Sequence, residues 1–430
     1  MKRKTYSGLI IVISLAFSGG CTFSTATPTV VPTLPQGTDT PAIQFPSNLS
    51  AMPVVEAGHY DNPVAYPAPN PKNPAAQTAD SITARAVADG LPGVVLLVST
   101  PADGTWVSAR GLIDLKNNIP LKPNSLSRLG SVSKMFTAVV IHQLAQEGKL
   151  SLDDPVSKYL PDDMIHGIAN ADKATVRQLL GHTSGIAEYT DNLDLSAIYK
   201  SGTNKDLTSA KALDLARGLP AYFAPGQGCH YSNTNFVLLG LIAEKAAGKM
   251  MKDLYQERIF TPLGLKSTYY DPDNPVQRGV ARGYVNMPAG NLIDTTNFDD
   301  AERTPDGGIV SNVYDMATFI QALVPDKRLL TEAEYTAMTG DFRLDAKLWQ
   351  GVTDGLGIFK YVLPNGDSAY GYSGQHFGYA ANLWYVPARQ LTIAYLVNGS
   401  SMLGATVKPY QDFMREVLTT VVDEFARVSP

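Results

Sequence analysis

The sequence predicts an α/β (α+β) fold in which an antiparallel sheet is flanked by helices and carries an inserted all-helical region. Three observations support this. Strand-like runs lie toward both ends of the 430-residue chain, helical periodicity dominates from about Leu150 to Val324, and an amphipathic helix closes the sequence. Strands separated by so long a helical stretch are joined most simply in one sheet made from both termini.

The elements follow in order. Met1-Lys2-Arg3-Lys4 and the apolar run from Gly8 to Phe17 have the form of an export signal, too short for a comfortable membrane span. Ser18-Gly19-Gly20-Cys21 resembles a bacterial lipoprotein processing site. Residues 1–21 are therefore read as a signal peptide of lipoprotein type, with cleavage nearby by ordinary signal peptidase as the alternative. The protein is expected in the cell envelope, touching membrane only through a lipid on Cys21. Eleven of the 29 prolines lie between Thr22 and Pro74, which sustains neither helix nor interior strand, so residues 22–78 read as an extended tether and 79–430 as the folded domain.

Within that domain a short helix is expected over Asp80–Asp89. Gly93–Val98 and Trp106–Ile113 flank the turn at Asp103-Gly104 as an antiparallel hairpin. Val132, Met135, Phe136, Val139, Val140 and Leu144 then recur at helical spacing, with Gly148 as the stop. After the helical middle, Leu356–Val362, Tyr379–Val386 and Leu391–Val397 read as strands, and Val407 to Phe425 as the closing helix.

Composition narrows the function. The chain is 44% hydrophobic and 17% charged with a formal net charge of −5, which offers no basic excess for nucleic acid. Six histidines are scattered, without His-Glu-x-x-His or a cysteine pair at ligand spacing, so no metal is expected. Cys21 and Cys229 are too few for a disulfide framework. The chain is read as a monomer acting on a small-molecule or peptide substrate.

The chemistry centres on Arg128-Leu129-Gly130-Ser131-Val132-Ser133-Lys134-Met135-Phe136. Residues three apart share a helix face, so the Lys134 amine can lie beside the Ser131 hydroxyl. A serine is a weak nucleophile until a base takes its proton, and a lysine serves as that base only where burial keeps part of it neutral. The pair implies a pocket. At a helix start the Ser131 N–H is also an unpaired donor suited to an oxyanion.

From roughly Leu91 to Glu424 the chain resembles the penicillin-recognising serine hydrolases related to class C β-lactamases, a group that includes DD-carboxypeptidases, D-aminopeptidases and esterases. Ser131-x-x-Lys134 matches their nucleophile motif. Further matches are Leu150–Val156, Thr175–Gly185, Pro225-Gly226, Tyr231-Ser232-Asn233 with Leu238-Leu239-Gly240, and Asp306–Ser311. The resemblance implies a β-lactamase/transpeptidase-like fold and an acyl-enzyme mechanism needing no cofactor.

It also implies roles. Tyr-x-Asn occurs at Tyr60, Tyr231 and Tyr284, and only the second has the flanking family sequence, so Tyr231 is the expected acid or relay and Asn233 the residue orienting the lysine and the substrate. The family's third motif is Lys-x-Gly or His-x-Gly on a strand beside the site. His376-Phe377-Gly378 is preferred over Lys200-Ser201-Gly202, with His376 orienting a substrate carboxylate or tuning Tyr231, Gly378 admitting the substrate backbone and the Tyr379 N–H completing the oxyanion hole. Gly181–Gly185, with His182 and Ser184, is architectural by the same resemblance, and Cys229 and His230 are read as neighbours of Tyr231 that shape the pocket. The expected activity is that of a D-Ala-D-Ala carboxypeptidase or D-amino-acid peptidase, followed by a carboxylesterase and then a β-lactamase. A penicillin-binding envelope sensor without turnover is the alternative of another kind.

Overall fold

A computed structural model describes residues 60–192, 207–270, 279–286, 292–296, 304–345, 348, 351–399 and 406–428. Residues 1–21, read above as a signal peptide, and Lys200-Ser201-Gly202 lie outside these residues.

An eight-stranded antiparallel sheet forms the centre. Its strands are β1 (Gly93–Thr100), β2 (Gly104–Asp114), β3 (Ile119–Pro120), β9 (Val352–Asp354), β10 (Phe359–Val362), β11 (Ser368–His376), β12 (Tyr379–Val386) and β13 (Leu391–Val397), in the order β3-β2-β1-β13-β12-β11-β10-β9. The expected union of the chain's two ends is present: Val94 is registered with Arg110 on one side and Val397 on the other. Every residue of β1, β12 and β13 is buried, which explains their near-continuous apolar sequence.

Helices cover both faces. On one, Thr83 of α1 (Ala76–Ala88) hydrogen-bonds to Ser108, and Tyr410 and Phe413 of the closing helix α6 (Val407–Glu416) meet Asn382 and Tyr395. On the other, Gln321 of α5 (Val313–Leu323) bonds to Thr392. Ser373 is registered with Asn382 and so shares the first of these faces. Alternation along β11 therefore sends Tyr372, Gly374 and His376 to the opposite face, toward the helical region.

That region centres on α2 (Ser133–Gln146) and α4 (Asn233–Ala247), with the single turn α3 (Val176–Leu180) beside α4. The apolar residues noted in the α2 sequence lie at the spacing of a single helix face. Instead Ser133 to Leu144 is buried on every side, because α2 is enclosed between sheet and helices. Its polar residues have partners: Thr137 with Tyr255 and the Pro305 carbonyl, His142 with Glu334, Gln143 with the Leu329 carbonyl.

Other departures are local. The middle is not all helical, since β4 (Ser127–Arg128), β8 (Ile309–Ser311) and β5 (Tyr269–Tyr270) pair as a small sheet, and β6 (Tyr284–Asn286) pairs with β7 (Leu292–Asp294). Helix α1 begins at Ala76 rather than Asp80. The stretch read as tether also joins the fold before residue 78. Tyr60 donates to Asp114, Asn62 to Asn124 and Ser267, and Tyr66 to Asp315 while its ring stacks on Tyr314.

Asp114 is fully buried and holds Arg282 at 2.9 Å, which reaches Asp294 at 2.7 Å with its other nitrogen. Removing one partner of a buried pair strands the other charge. Asp114→Ala is expected to lower stability by about 3 kcal/mol in urea denaturation, with the slope unchanged.

Candidate active site

A glycine prepares the nucleophile's position. Gly130 has φ +50°, and a methyl added to it would stand 2.7 Å from the Gln375 carbonyl oxygen and 2.9 Å from its nitrogen. Only glycine lets the backbone turn there so close to β11. Ser131 follows inside a 3₁₀ turn (Gly130–Val132) that runs into α2.

Lys134 comes up one turn later, wholly buried. Its Nζ lies 3.0 Å from Ser131 Oγ, 2.6 Å from Asn233 Oδ1 and 2.8 Å from the Asp306 carbonyl oxygen. Tyr231 donates its hydroxyl to Ser131 Oγ at 2.7 Å. The structure thus gathers Ser131, Lys134, Tyr231 and Asn233, four of the expected residues, into one hydrogen-bonded group.

Electrostatics suits proton exchange. Burial pushes the Lys134 amine down to about 8, although Asp306, Glu188 and Asp354 pull it back toward the charged form. Burial drives the Tyr231 phenol well above its ordinary range, opposed by the Ser131 hydrogen bond and reinforced by the same three acids. The amine is accordingly available in neutral form near physiological pH, while the phenol keeps its proton.

Supporting residues fix these groups. Glu188 accepts the Asn233 N–H at 2.6 Å where α4 begins, satisfying a donor that the helix leaves open. His182 Nδ1 accepts the Ser232 N–H at 3.1 Å, and its ring centroid lies 4.5 Å from that of Tyr231. Burial, with Lys134 and His230 nearby, holds His182 well below the ordinary imidazole value, so it stays a neutral acceptor. Ser184 bonds to Asn235, which fits the architectural reading of Gly181–Gly185. His230 packs on Tyr222, and burial together with Asp354 and Asp345 raises the Cys229 thiol far from thiolate character. The other two Tyr-x-Asn copies are engaged elsewhere, Tyr60 with Asp114 and Tyr284 with the Leu115 N–H.

The third motif requires correction. His376 ends β11, and Phe377-Gly378 is the two-residue turn into β12, with φ +75° at Gly378. A methyl on Gly378 would meet Thr295 Oγ1 at 2.2 Å and the Tyr284 nitrogen at 2.6 Å, so protein rather than substrate lies against it. Tyr379 is buried, donates its hydroxyl to the Ala281 carbonyl at 2.9 Å and lies under the Arg128 guanidinium. The segment that backs the nucleophile is Tyr372-Ser373-Gly374-Gln375. A methyl on Gly374 would sit 1.9 Å from the Leu129 carbonyl oxygen and 3.0 Å from the Ser131 nitrogen.

Alternation along the ladder completes the correction. A two-residue turn makes His376 and Tyr379 the closing hydrogen-bonded pair, so Gln375, opposite Ala380, turns its N–H away from β12. It faces the edge that β10 leaves open beyond Gly371, beside Gly130. The Gln375 N–H rather than that of Tyr379 therefore stands with the Ser131 N–H. Tyr372 is fully buried, and burial, reinforced by neighbouring Tyr231, raises its phenol well above the ordinary range. His376-Phe377-Gly378 fits the family's His-x-Gly form between strand-like segments, but the glycine with no room for a side chain, Gly374, is the better signal. Gly374→Ala is expected to cost about 10²-fold or more in kcat/KM by pushing β11 off the Ser131 turn, as measured beside its thermal unfolding.

The β-lactamase family model matches residues 55–413. Penicillin-binding protein 4* of Bacillus subtilis (strain 168) is 31% identical over 70% of this chain and 67% of its own length. The human serine beta-lactamase-like protein LACTB, mitochondrial, is 26% identical over 55% of this chain and 54% of its own. Among solved structures, a D-stereospecific amidohydrolase from Streptomyces sp. superposes with a TM-score of 0.69 at 28% identity, covering 80% of this chain and 98% of that one. The D-amino acid amidase from Ochrobactrum anthropi SV3 gives 0.71 at 25% identity, covering 81% and 99%. With the fold, the contact of Ser131 with the buried Lys134 and these relatives in agreement, the chain belongs to the β-lactamase family of penicillin-recognising serine hydrolases.

Proposed function

We propose that the protein hydrolyses amide bonds on the carbonyl side of a D-amino acid, as a peptidase or amidase, through an acyl-enzyme on Ser131. The observation that carries the hydrolytic step is the contact of Ser131 Oγ with both Lys134 Nζ and the Tyr231 hydroxyl. Ser131 Oγ attacks the carbonyl carbon as its proton passes to neutral Lys134, and the oxyanion rests on the N–H groups of Ser131 and Gln375. The C–N bond then breaks. The leaving amine takes the Tyr231 proton, which Lys134 replaces, and water releases the acyl group by the reverse transfers. Asn233, with its Oδ1 on Lys134, offers its NH₂ to a substrate carbonyl.

The D-amino-acid preference is supported by the two solved neighbours whose names specify D-stereospecific amidohydrolase and D-amino acid amidase activity. Tyr372 sets a neutral phenol in the motif position where a lysine or histidine was expected, and a phenol gives a free carboxylate less attraction than an ammonium does. An amide or aminopeptidase substrate is therefore favoured over a carboxypeptidase one. The same neutral phenol makes an uncharged ester the second reading. An envelope location, expected from the N-terminal sequence, would bring peptidoglycan stem peptides within reach.

A panel of D- and L-alanine p-nitroanilide, D-Ala-D-Ala peptide, p-nitrophenyl acetate and a cephalosporin tests this. Steady turnover of the D-anilide well above its L-enantiomer is expected. Faster turnover of the ester without stereopreference would shift the assignment to esterase, and a single acylation without turnover to a sensor.

A further inference from the structure

Behind Tyr231 lies a group of side chains that acyl transfer does not use. Cys229 Sγ and carboxylate oxygens of Asp345 and Asp354 lie within 4.8 Å of one another. They come from the loop before Tyr231, the loop after the helix Glu332–Gly340, and the end of edge strand β9. Asp354 is 1% exposed, and neither of its carboxylate oxygens has a hydrogen-bond partner among the described residues. An ionised carboxylate is stable in such a place only if a cation meets it, and a second carboxylate beside it deepens the need. Nor can it swing out easily. Asp354 and Arg343 exchange backbone hydrogen bonds at 2.7 and 2.8 Å, and Asp354 is registered with Phe359.

We propose that Cys229, Asp345 and Asp354 bind a thiophilic divalent cation, with Zn²⁺ the ion their chemistry selects. One thiolate and two carboxylates suit zinc, whereas magnesium and calcium gain nothing from sulfur. Ligand atoms on a tetrahedral zinc stand about 3.6 Å apart, so modest side-chain rotation closes the cluster. Cys229 is only half buried, leaving a fourth position for water. Its thiol now donates to the Gly181 carbonyl at 3.7 Å; binding releases that proton, so affinity rises with pH. Asp345 Oδ2 also accepts the Tyr231 backbone N–H, so the ion would tie the Tyr231 loop to β9. The three ligands are far apart in sequence, which is why no metal spacing was legible.

The test is titration of chelator-stripped protein with Co²⁺ and then Zn²⁺. One equivalent of Co²⁺ should bind with a thiolate-to-cobalt charge-transfer band in the near ultraviolet, and Zn²⁺ should displace it. Cys229→Ser should lose the band, and both it and Asp354→Asn should bind zinc about 100-fold more weakly by calorimetry. Ser131→Ala protein should bind as the unmodified protein does, so this result stands apart from the catalytic one. No binding, Co²⁺ bound without the band, or full affinity in both ligand variants would overturn the site. The spectrum of the unmodified protein decides even if a variant misfolds.

Discussion

Ser131→Ala should lower kcat/KM on a D-amino-acyl anilide by about 10⁴-fold or more and abolish covalent labelling by a fluorophosphonate. The substitution removes the atom that forms the acyl bond while leaving the N–H groups of Ser131 and Gln375 in place, so the small activity that survives should be that of the oxyanion site alone. Little structural cost is expected, because Ser131 is only partly buried and its neighbour Gly130, not its hydroxyl, holds the turn against β11. Labelling that persisted on the same peptide after digestion would remove Ser131 from its role.

Lys134→Arg is the second large effect, about 10³-fold in kcat/KM. The guanidinium keeps its charge at any accessible pH and is too broad for a site in which Nζ already meets three oxygens at 3.0 Å or less. The unmodified enzyme should show the matching pH dependence. Its base is active when deprotonated, and burial has brought the amine down to about 8, so kcat/KM should climb from pH 6 and level off above that value. Tyr231, pushed well above the ordinary phenol range, keeps its proton throughout and adds no falling limb near neutrality. A decline through pH 8 would mean that the ammonium, not the amine, is the working form.

Much of this was readable from sequence where a local rule applied. Ser131 and Lys134 share a helix face by spacing alone, and Tyr231 stood out from Tyr60 and Tyr284 by its neighbours. The strands β1, β2, β12 and β13 declared themselves through apolar runs between turns. β11 did not, since Ser368–His376 mixes tyrosines, glycines and polar residues whose burial comes from helices far off in the chain. For the same reason Tyr372 and Gln375 went unnoticed. Motif spacing records which side chains are present, whereas Gly374 matters for the side chain it lacks. The burial of Asp345 and Asp354 beside Cys229 is likewise a product of tertiary packing.

The pairing of Val94 with Val397 bears on how the protein is made. As a nascent chain leaves the ribosome, β1 emerges long before its β13 neighbour, so the central sheet stays incomplete through most of the domain's synthesis. Until then the apolar run of β1 offers an open edge to any passing strand, which makes the unfinished polypeptide a natural client for chaperones and a hazard for aggregation. Truncation before Leu391 should yield insoluble protein rather than a smaller folded one.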